Sequence, residues 1–123
     1  MEPSQKVTKL FVYGTLRFGE PAHALLGGSR LIGRARTEPC FTLVDAGGYP
    51  GMILGGHTKV TGEIYEIDAS AWPKLDAYEQ APEVYERVQL VVEGHVVSAY
   101  LLRAEHAAGR PVIASGDWSG QVG

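Results

Sequence analysis

What this chain lacks narrows its function before any motif is considered. It has a single cysteine, Cys40, so no disulfide can form within the chain, which is compatible with a reducing compartment. No apolar run approaches the roughly 18 residues of a membrane-spanning helix. The polar segment 1–9 has no apolar stretch of the kind found in a signal peptide. We therefore expect a cytoplasmic protein that does not bind a membrane.

Positive charge is also scarce. The chain has 11 Lys and Arg against 14 Asp and Glu, which gives a net charge of −3. It has no basic stripe, which excludes a typical nucleic-acid-binding surface and favours a small metabolite or another protein as partner. The 4 histidines do not show metal-ligand spacing. The glycine pairs at 27–28, 47–48 and 55–56 precede no βαβ unit, so they indicate turns and not phosphate-binding loops.

Glycine, in contrast, is abundant, at 16 of 123 residues. Hydrophobic residues make up 45 % and charged residues 20 %, which is typical of a globular chain. This length predicts one domain over residues 1–123, with a core between about 9 and 118. Many glycines and few long helical patterns favour a turn-rich β or α+β fold. The oligomeric state stays open.

Hydrophobic periodicity predicts a series of short elements. The segment 71–78 is predicted to be a helix, with Ser70 as N-cap, Pro73 in the first turn, and Trp72, Leu75 and Tyr78 on one apolar stripe. One or two helical turns are expected within 20–26, a further short element within 112–118, and frayed ends at 1–8 and 119–123. Strands are predicted at 9–13, 30–37, 41–44, 52–54, 60–67, 85–92 and 95–102, the last two forming a hairpin around Glu93 and Gly94.

The first of these strands ends in a feature with chemical potential. Residues 9–13 are apolar on both faces, which predicts a central strand, and the strand stops at Gly14. The turn Gly14-Thr15-Leu16 would leave successive backbone N–H groups without partners in the sheet. Such a turn is a natural cradle for an anionic or carbonyl oxygen.

Glu79 is the candidate acid/base. It lies four residues after Leu75 and seven after Trp72, at the border of the apolar stripe. Burial there would raise the pKa of the carboxyl group and make it a stronger base. An ordinary acid at the end of a helix is the alternative. Asp76 could face the same way, and we interpret it as a solvated or helix-capping acid.

Three further side chains could belong to the same pocket. Tyr85 begins a strand six residues after Glu79, and could donate its hydroxyl into the pocket or pack in the core. Arg17 and Arg87 could each bind a substrate carboxylate through two hydrogen bonds. Surface salt bridges are the alternative for both arginines.

Taken together, the motifs resemble those of the γ-glutamylcyclotransferase-like family. The resemblance runs from about residue 9 to 118, and the stretch from Pro82 to Tyr85 is most similar to the γ-glutamylamine cyclotransferase branch. The matching segments are Val-Tyr-Gly-Thr-Leu (12–16), Gly-Glu-Pro-Ala-His (19–23), Tyr-Pro-Gly (49–51), Thr-Gly-Glu-Ile-Tyr-Glu-Ile-Asp (61–68), Leu-Asp-Ala-Tyr-Glu (75–79), Val-Tyr-Glu-Arg (84–87) and Ser-Gly-Asp-Trp (115–118).

This resemblance implies an α+β fold in the form of a small mixed β-barrel with short flanking helices. It also implies that no metal, nucleotide or prosthetic group takes part. Glu79 would be the catalytic acid/base. The implied substrate-binding residues are Tyr13, Gly14, Thr15, Leu16, Arg17, Tyr49, Pro50 and Tyr85. One departure stands out, because Gln80 occupies the position after the glutamate where the family usually has Gly.

The implied reaction is ring closure of a small γ-glutamyl amine or γ-glutamyl amino acid. Glu79 would take a proton from the α-amino group, which attacks its own γ-carbonyl and releases 5-oxoproline and a free amine. Two alternatives stay open. The same site could transfer or remove a γ-glutamyl group during maturation of an amine metabolite, or the domain could bind a small molecule without catalysis.

Overall fold

The fold is built on one mixed sheet and a separate hairpin. A computed structural model describes residues 7–118 of the chain. Its elements are strand β1 (Val7–Val12), a 3-10 turn (His23–Leu26), β2 (Arg30–Arg36), β3 (Phe41–Asp45), β4 (Pro50–Leu54), β5 (Thr61–Asp68), a second 3-10 turn (Ala69–Ala71), helix α1 (Trp72–Glu79), β6 (Tyr85–Val92), β7 (His95–Leu102) and helix α2 (Ala104–Ala107).

The larger sheet has five strands in the order β2-β5-β1-β7-β6, and β3 pairs with β4 in a two-stranded sheet. Strand β1 is antiparallel to β5 and parallel to β7, so the sheet is mixed. This confirms the α+β class and the central position of the first strand. Both faces of β1 are buried, because Leu10 and Val12 pack in one hydrophobic cluster with Leu75, and Phe11 packs in another with Met52.

The expected closed barrel is wrong for the part of the chain that the structure describes. Strands β2 and β6 are the two edges of the sheet and do not pair with each other. The edges are linked instead through a side chain, because the N–H of Arg36 donates a 2.8 Å hydrogen bond to the Glu93 carboxylate in the β6–β7 turn. The sheet is therefore open, and this side-chain hydrogen bond is a contact between its edge strand β2 and the β6–β7 turn.

The predicted hairpin is confirmed with the same bounds for both strands. Its turn residues Glu93 and Gly94 have φ angles of 50° and 85°. Positive φ at both central positions is what a type I′ turn requires, and this turn matches the twist of paired strands.

Helix α1 lies close to its predicted position but begins differently. Ser70 is not its N-cap: the residue before α1 is Ala71, which makes no side-chain cap. The capping bond comes earlier, where the Asp68 carboxylate accepts a 2.8 Å hydrogen bond from the N–H of Ser70 and starts the second 3-10 turn. Because Asp68 caps this 3-10 turn, Ser70 lies within the turn and is not the N-cap of α1.

The remaining differences concern short segments. Val7 and Thr8, expected to fray, belong to β1, while residues 1–6 and the expected frayed end at 119–123 lie outside the described residues. Helix α2 was not predicted. Segment 112–118 forms neither helix nor strand. It contacts the β3–β4 hairpin through an isolated bridge between Val112 and Val44. Among the described residues, none of the helices has the length and apolar character needed to cross a membrane.

Candidate active site

The loop after β1 is held in place by a close approach to β4. A Cβ atom added to Gly14 would lie 2.6 Å from Cγ of Pro50, so only glycine lets the two segments meet without a shift. The loop then turns sharply, because the N–H of Arg17 donates a 3.0 Å hydrogen bond to the Gly14 carbonyl. The strand ends at Val12, one residue before its predicted end at Tyr13, and the loop that follows packs against Pro50.

The peptide groups of this loop have a defined orientation. The carbonyls of Gly14 and Thr15 accept hydrogen bonds from the N–H groups of Arg17 and Ala22, at 3.0 and 2.9 Å. In a planar trans peptide, C=O and N–H point in opposite directions. The N–H groups of Thr15 and Leu16 therefore point away from segment 17–22. Within residues 7–118 they donate to no other protein group.

Glu79 is the last residue of α1, and Gln80 ends the helix with a left-handed conformation, φ 56° and ψ 46°. This conformation is typical of the residue after a helix, although glycine usually occupies it. The Glu79 side chain is partly buried. No other described residue forms a hydrogen bond or ion pair with its carboxylate. Burial alone raises the pKa of Glu79 from 4.5 to about 7.

The loop and the carboxylate share one cavity of about 280 Å³. The end of β1, the loop before β4, the end of α1 and the start of β6 surround it. Its lining residues are Phe11, Val12, Tyr13, Gly14, Thr15, Leu16, Gly48, Tyr49, Pro50, Tyr78, Glu79, Gln80, Val84, Tyr85 and Tyr100. Apart from Arg17 and Arg87, the residues predicted to bind substrate or to act as acid/base are therefore found around this cavity.

Tyrosine hydroxyls tie the walls of the cavity together. Tyr85 donates a 2.6 Å hydrogen bond to the carbonyl of Pro50, so it lines the cavity while its hydroxyl is engaged by the backbone. Tyr13 donates to the carbonyl of Tyr100 at 2.5 Å and accepts from the N–H of Met52 at 3.0 Å. Burial raises the pKa of both hydroxyls, and the Glu79 carboxylate contributes to each shift. They stay protonated at neutral pH, which leaves Glu79 as the group in the lining that can exchange a proton there.

Tyr78 joins the helix to the loop. Its hydroxyl lies 2.8 Å from the Thr15 hydroxyl, so the residue before Glu79 contacts the predicted oxygen cradle. The prediction that Tyr78 lies on the buried stripe of the helix was wrong, since the residue is 42 % exposed. Sequence reasoning gave Tyr78 no role at the site. Only the proximity of α1 to the β1 loop, a tertiary feature, reveals it.

Asp76 and Arg87 are not among the residues that line the cavity. Tyr100 donates a 2.5 Å hydrogen bond to the Asp76 carboxylate, and Arg87 approaches the same oxygen at 3.4 Å. The Arg87 guanidinium also lies over the Trp72 ring, 4.2 Å from its centroid. Asp76 is therefore a packed, paired acid and not a free or capping one, and Arg87 forms a salt bridge, one of its two predicted alternatives. Asp76 thus joins α1 to Tyr100, a residue of the cavity lining.

Like Arg87, Arg17 is a predicted site residue that is not in the cavity lining. Its guanidinium donates 2.8 Å hydrogen bonds to the Asp117 carboxylate and to the Trp118 carbonyl. The arginine is thus engaged by residues 117 and 118 and not by the residues that line the cavity. Glu63, also missed by sequence reasoning, is buried beneath the same arginine. Alternating strand residues alone gave no signal that a carboxylate of β5 would point inward.

The described residues contain no group of three or more His, Cys, Asp or Glu side chains placed to hold a metal ion. The cavity is lined by one carboxyl group with a pKa of about 7 and by Thr15 and Leu16, whose N–H groups point away from segment 17–22. This arrangement can move a proton and stabilise a developing oxyanion in the same small space.

Comparison with known proteins identifies the family of this chain. A family model described as "Gamma-glutamyl cyclotransferase, AIG2-like" matches residues 10–120. A Vibrio cholerae protein named "Putative gamma-glutamylcyclotransferase" is 38 % identical over 113 residues, which cover 92 % of this chain and 96 % of that protein. The gamma-glutamylaminecyclotransferase of Bos taurus is 36 % identical over 100 residues, 74 % of this chain and 60 % of that protein. The chain thus spans about three fifths of the cattle enzyme.

Solved structures show the same fold. The crystal structure of an AIG2-like protein from Mus musculus superimposes with a TM-score of 0.77 at 32 % identity, covering 92 % of this chain and 88 % of that one. The solution structure of protein ytfP from Escherichia coli gives a TM-score of 0.73 at 29 % identity, covering 90 % and 96 %.

Proposed function

The chain belongs to the gamma-glutamyl cyclotransferase, AIG2-like family, and from this premise we propose that it converts γ-glutamyl amines or γ-glutamyl amino acids to 5-oxoproline and a free amine. The observation that carries the proposal is that the Glu79 carboxylate and the Gly14–Leu16 loop line one cavity. Ring closure needs both a proton acceptor and an oxygen cradle within the length of one γ-glutamyl group.

The proposed reaction begins with Glu79 in its ionised form. Its carboxylate takes a proton from the substrate α-ammonium, and the freed amine nitrogen attacks the γ-carbonyl carbon. The new C–N bond closes a five-membered ring and places negative charge on the carbonyl oxygen. When the amide C–N bond breaks, Glu79 returns its proton to the leaving amine. The attacking nitrogen begins as an ammonium with three protons and ends as the lactam N–H, so a second proton also passes from it through Glu79 to the departing amine. The amine leaves as an ammonium, and no water is consumed.

The raised pKa makes this transfer feasible. Moving a proton from an α-ammonium of pKa about 8 to a carboxylate of pKa 4.5 would cost about 5 kcal/mol. With the pKa of Glu79 at about 7 the mismatch is one unit, or about 1.4 kcal/mol. Burial of this one carboxyl group therefore lowers the cost of the proton transfer by more than 3 kcal/mol, on the order of a few hundredfold in rate.

The backbone N–H groups of Thr15 and Leu16 supply the second component. They are held in place by the two carbonyl hydrogen bonds of the loop, so they need no reorganisation when charge develops. We assign them to the γ-carbonyl oxygen in the transition state or to the α-carboxylate of the bound substrate. Tyr13, Tyr49, Pro50 and Tyr85 complete the walls against which the γ-glutamyl group would pack.

Product analysis tests the proposal directly. Purified protein is incubated with a γ-glutamyl amine and a γ-glutamyl dipeptide, with and without an added acceptor amine, and products are measured by mass spectrometry. Ring closure gives 5-oxoproline whether or not the acceptor is present, whereas transfer gives a new γ-glutamyl amide only with the acceptor. Binding of 5-oxoproline without turnover of either substrate would identify a non-catalytic domain and refute the proposal.

A further inference from the structure

Arg17 lies next to the proposed oxygen cradle but faces away from the cavity. We propose that it is a positioning residue, which fixes the Gly14–Leu16 loop by joining it to Glu63 of β5 and to the segment 115–118, here named the closing segment. This inference rests on the proposed function of the loop. It assigns a role in the reaction to three charged groups that do not touch the substrate.

The contacts of Arg17 come first. Its Nη1 donates two hydrogen bonds of 2.8 Å, one to the carboxylate of Asp117 and one to the carbonyl of Trp118. Its Nε lies 4.0 Å from a Glu63 carboxylate oxygen, and the arginine side chain is only 12 % exposed. Charge-assisted hydrogen bonds are stronger than neutral ones. The arginine end of the pair is shielded from solvent, whereas the Asp117 side chain is 43 % exposed. Reaching the cavity would require breaking both short bonds at once.

Glu63 anchors the other side of the loop. It is a buried residue of a central strand, 8 % exposed. One of its carboxylate oxygens accepts 2.9 Å hydrogen bonds from the N–H of Phe18 and from the hydroxyl of Tyr65. A buried carboxylate is costly unless it is paired and hydrogen-bonded. Two of its partners here, the N–H of Phe18 and the guanidinium of Arg17, come from the residues just after the cradle, so that satisfying this charge also fixes the position of the loop.

The closing segment is itself attached to the sheet. The N–H of Thr61, the first residue of β5, donates a 2.8 Å hydrogen bond to the Gly116 carbonyl. Gly116 has a φ of 75°, and a Cβ atom there would collide with the backbone of Lys59, so the segment makes a close contact that only glycine permits. The Trp118 ring also approaches Gly14, where an added Cβ atom would lie 3.9 Å from Cε3 of the ring. Arg17 is therefore held between two fixed supports.

The consequence for catalysis is one of placement. Arg17 follows Leu16 directly, and its own N–H closes the turn onto Gly14. Loss of the guanidinium contacts would free the segment that aims the Thr15 and Leu16 N–H groups. A displacement of about 1 Å at a reacting group can reduce a rate by about a hundredfold. Removing Arg17 should thus weaken turnover without changing the environment that sets the pKa of Glu79.

The experiment compares Arg17→Ala, Arg17→Lys and Asp117→Asn with a matched control, Arg30→Ala. The control removes another arginine that pairs with a glutamate of β5, at 3.1 Å, but its side chain is 68 % exposed and it belongs to β2, not to this loop. Two quantities are measured: hydrogen exchange at the amides of residues 17, 18 and 22, and the pH dependence of kcat/KM for a γ-glutamyl substrate that the parent protein turns over.

We expect Arg17→Ala and Asp117→Asn to speed exchange at these amides at least tenfold and to lower kcat/KM by about tenfold to a hundredfold. The pH midpoint of activity should stay in place, Arg17→Lys should recover part of the loss, and Arg30→Ala should match the parent. Combining Arg17→Ala with Asp117→Asn should be no worse than Arg17→Ala alone, because both changes break the same contact.

Unchanged exchange in Arg17→Ala would overturn the proposal. So would full activity of Asp117→Asn beside an inactive Arg17→Ala, which would indicate that the arginine contacts substrate. A shifted pH midpoint would point to a general structural disturbance and overturn it as well. Hydrogen exchange can be measured without turnover. A parent protein that turns over no γ-glutamyl substrate would refute the proposed function, and the exchange rates would still decide whether Arg17 fixes the loop.

Discussion

Replacing Glu79 by Gln should abolish turnover and at the same time stabilise the protein. The side chain is partly buried, and no described residue pairs with its carboxylate, so the folded protein favours the neutral acid. Glutamine keeps the shape and never ionises. The carboxylate is thus retained at a cost in stability, and the substitution should remove that cost together with the catalytic base.

The magnitude and sign follow from the pKa. A rise from 4.5 to about 7 means that the folded state binds the Glu79 proton more tightly than the unfolded state. The parent protein therefore loses stability relative to the variant as the pH rises through this range, and the loss is complete above pH 7. The full shift corresponds to about 3 kcal/mol, and partial solvent access reduces the expected gain to about 2 kcal/mol.

Urea denaturation measures this gain. At pH 8 the variant should unfold with a free energy about 2 kcal/mol above that of the parent, and at pH 4 the two should coincide, because both side chains are then neutral. Glu83→Gln is the matched control, since it changes an exposed glutamate of the following loop and should give no such gap. An equal stability of the parent and Glu79→Gln at pH 8 would refute the account of a buried, unpaired base.

Activity supplies the second half of this prediction. The parent kcat/KM should fall about tenfold for each pH unit below 7, because the ionised form of Glu79 is the reactive one. Loss of the base should lower kcat/KM by about 10² to 10⁴. A parent that keeps full activity at pH 5.5, or a Glu79→Gln variant as active as the parent, would show that another group accepts the proton.

Three further substitutions test the walls of the cavity. Gly14→Ala should destabilise the protein by about 1–3 kcal/mol and reduce kcat/KM, because its Cβ would lie 2.6 Å from Pro50. The control is Gly33→Ala, whose Cβ would have no atom within 4 Å, and a urea titration should show a far smaller loss of stability for it. Tyr85→Phe should cost about 1–3 kcal/mol by leaving the buried Pro50 carbonyl without its donor; unchanged stability would contradict that 2.6 Å hydrogen bond. Gln80→Gly should stabilise the protein by up to about 1 kcal/mol by relieving the left-handed backbone, and a lower urea midpoint would show that the glutamine side chain compensates for that strain.

Local patterns accounted for much of the fold. The apolar run before Gly14 identified a central strand, and alternation with a Glu-Gly turn identified the β6–β7 hairpin with its bounds. These features depend on residues that are close in sequence, so the hydrophobic periodicity and the turn residues predict them directly. The prediction of a barrel was wrong because closure depends on strands that are distant in the chain. The two edge strands would have to pair, and here the Glu93 carboxylate bonds to the end of β2 where that ladder would be needed.

For the site, local patterns pointed to two candidate groups: an acid at the end of an apolar helical stripe, and a glycine turn at the end of a buried strand. Which groups lie close together is visible only in the folded chain. The tertiary structure placed Glu79 and the turn in one cavity, brought Tyr78 and Tyr100 to them, and turned Arg17 away toward Asp117. The physical reason is that desolvation and ion pairing are set by atoms far apart in the chain, so that neither the raised pKa of Glu79 nor the partner of Arg17 can be read from local spacing.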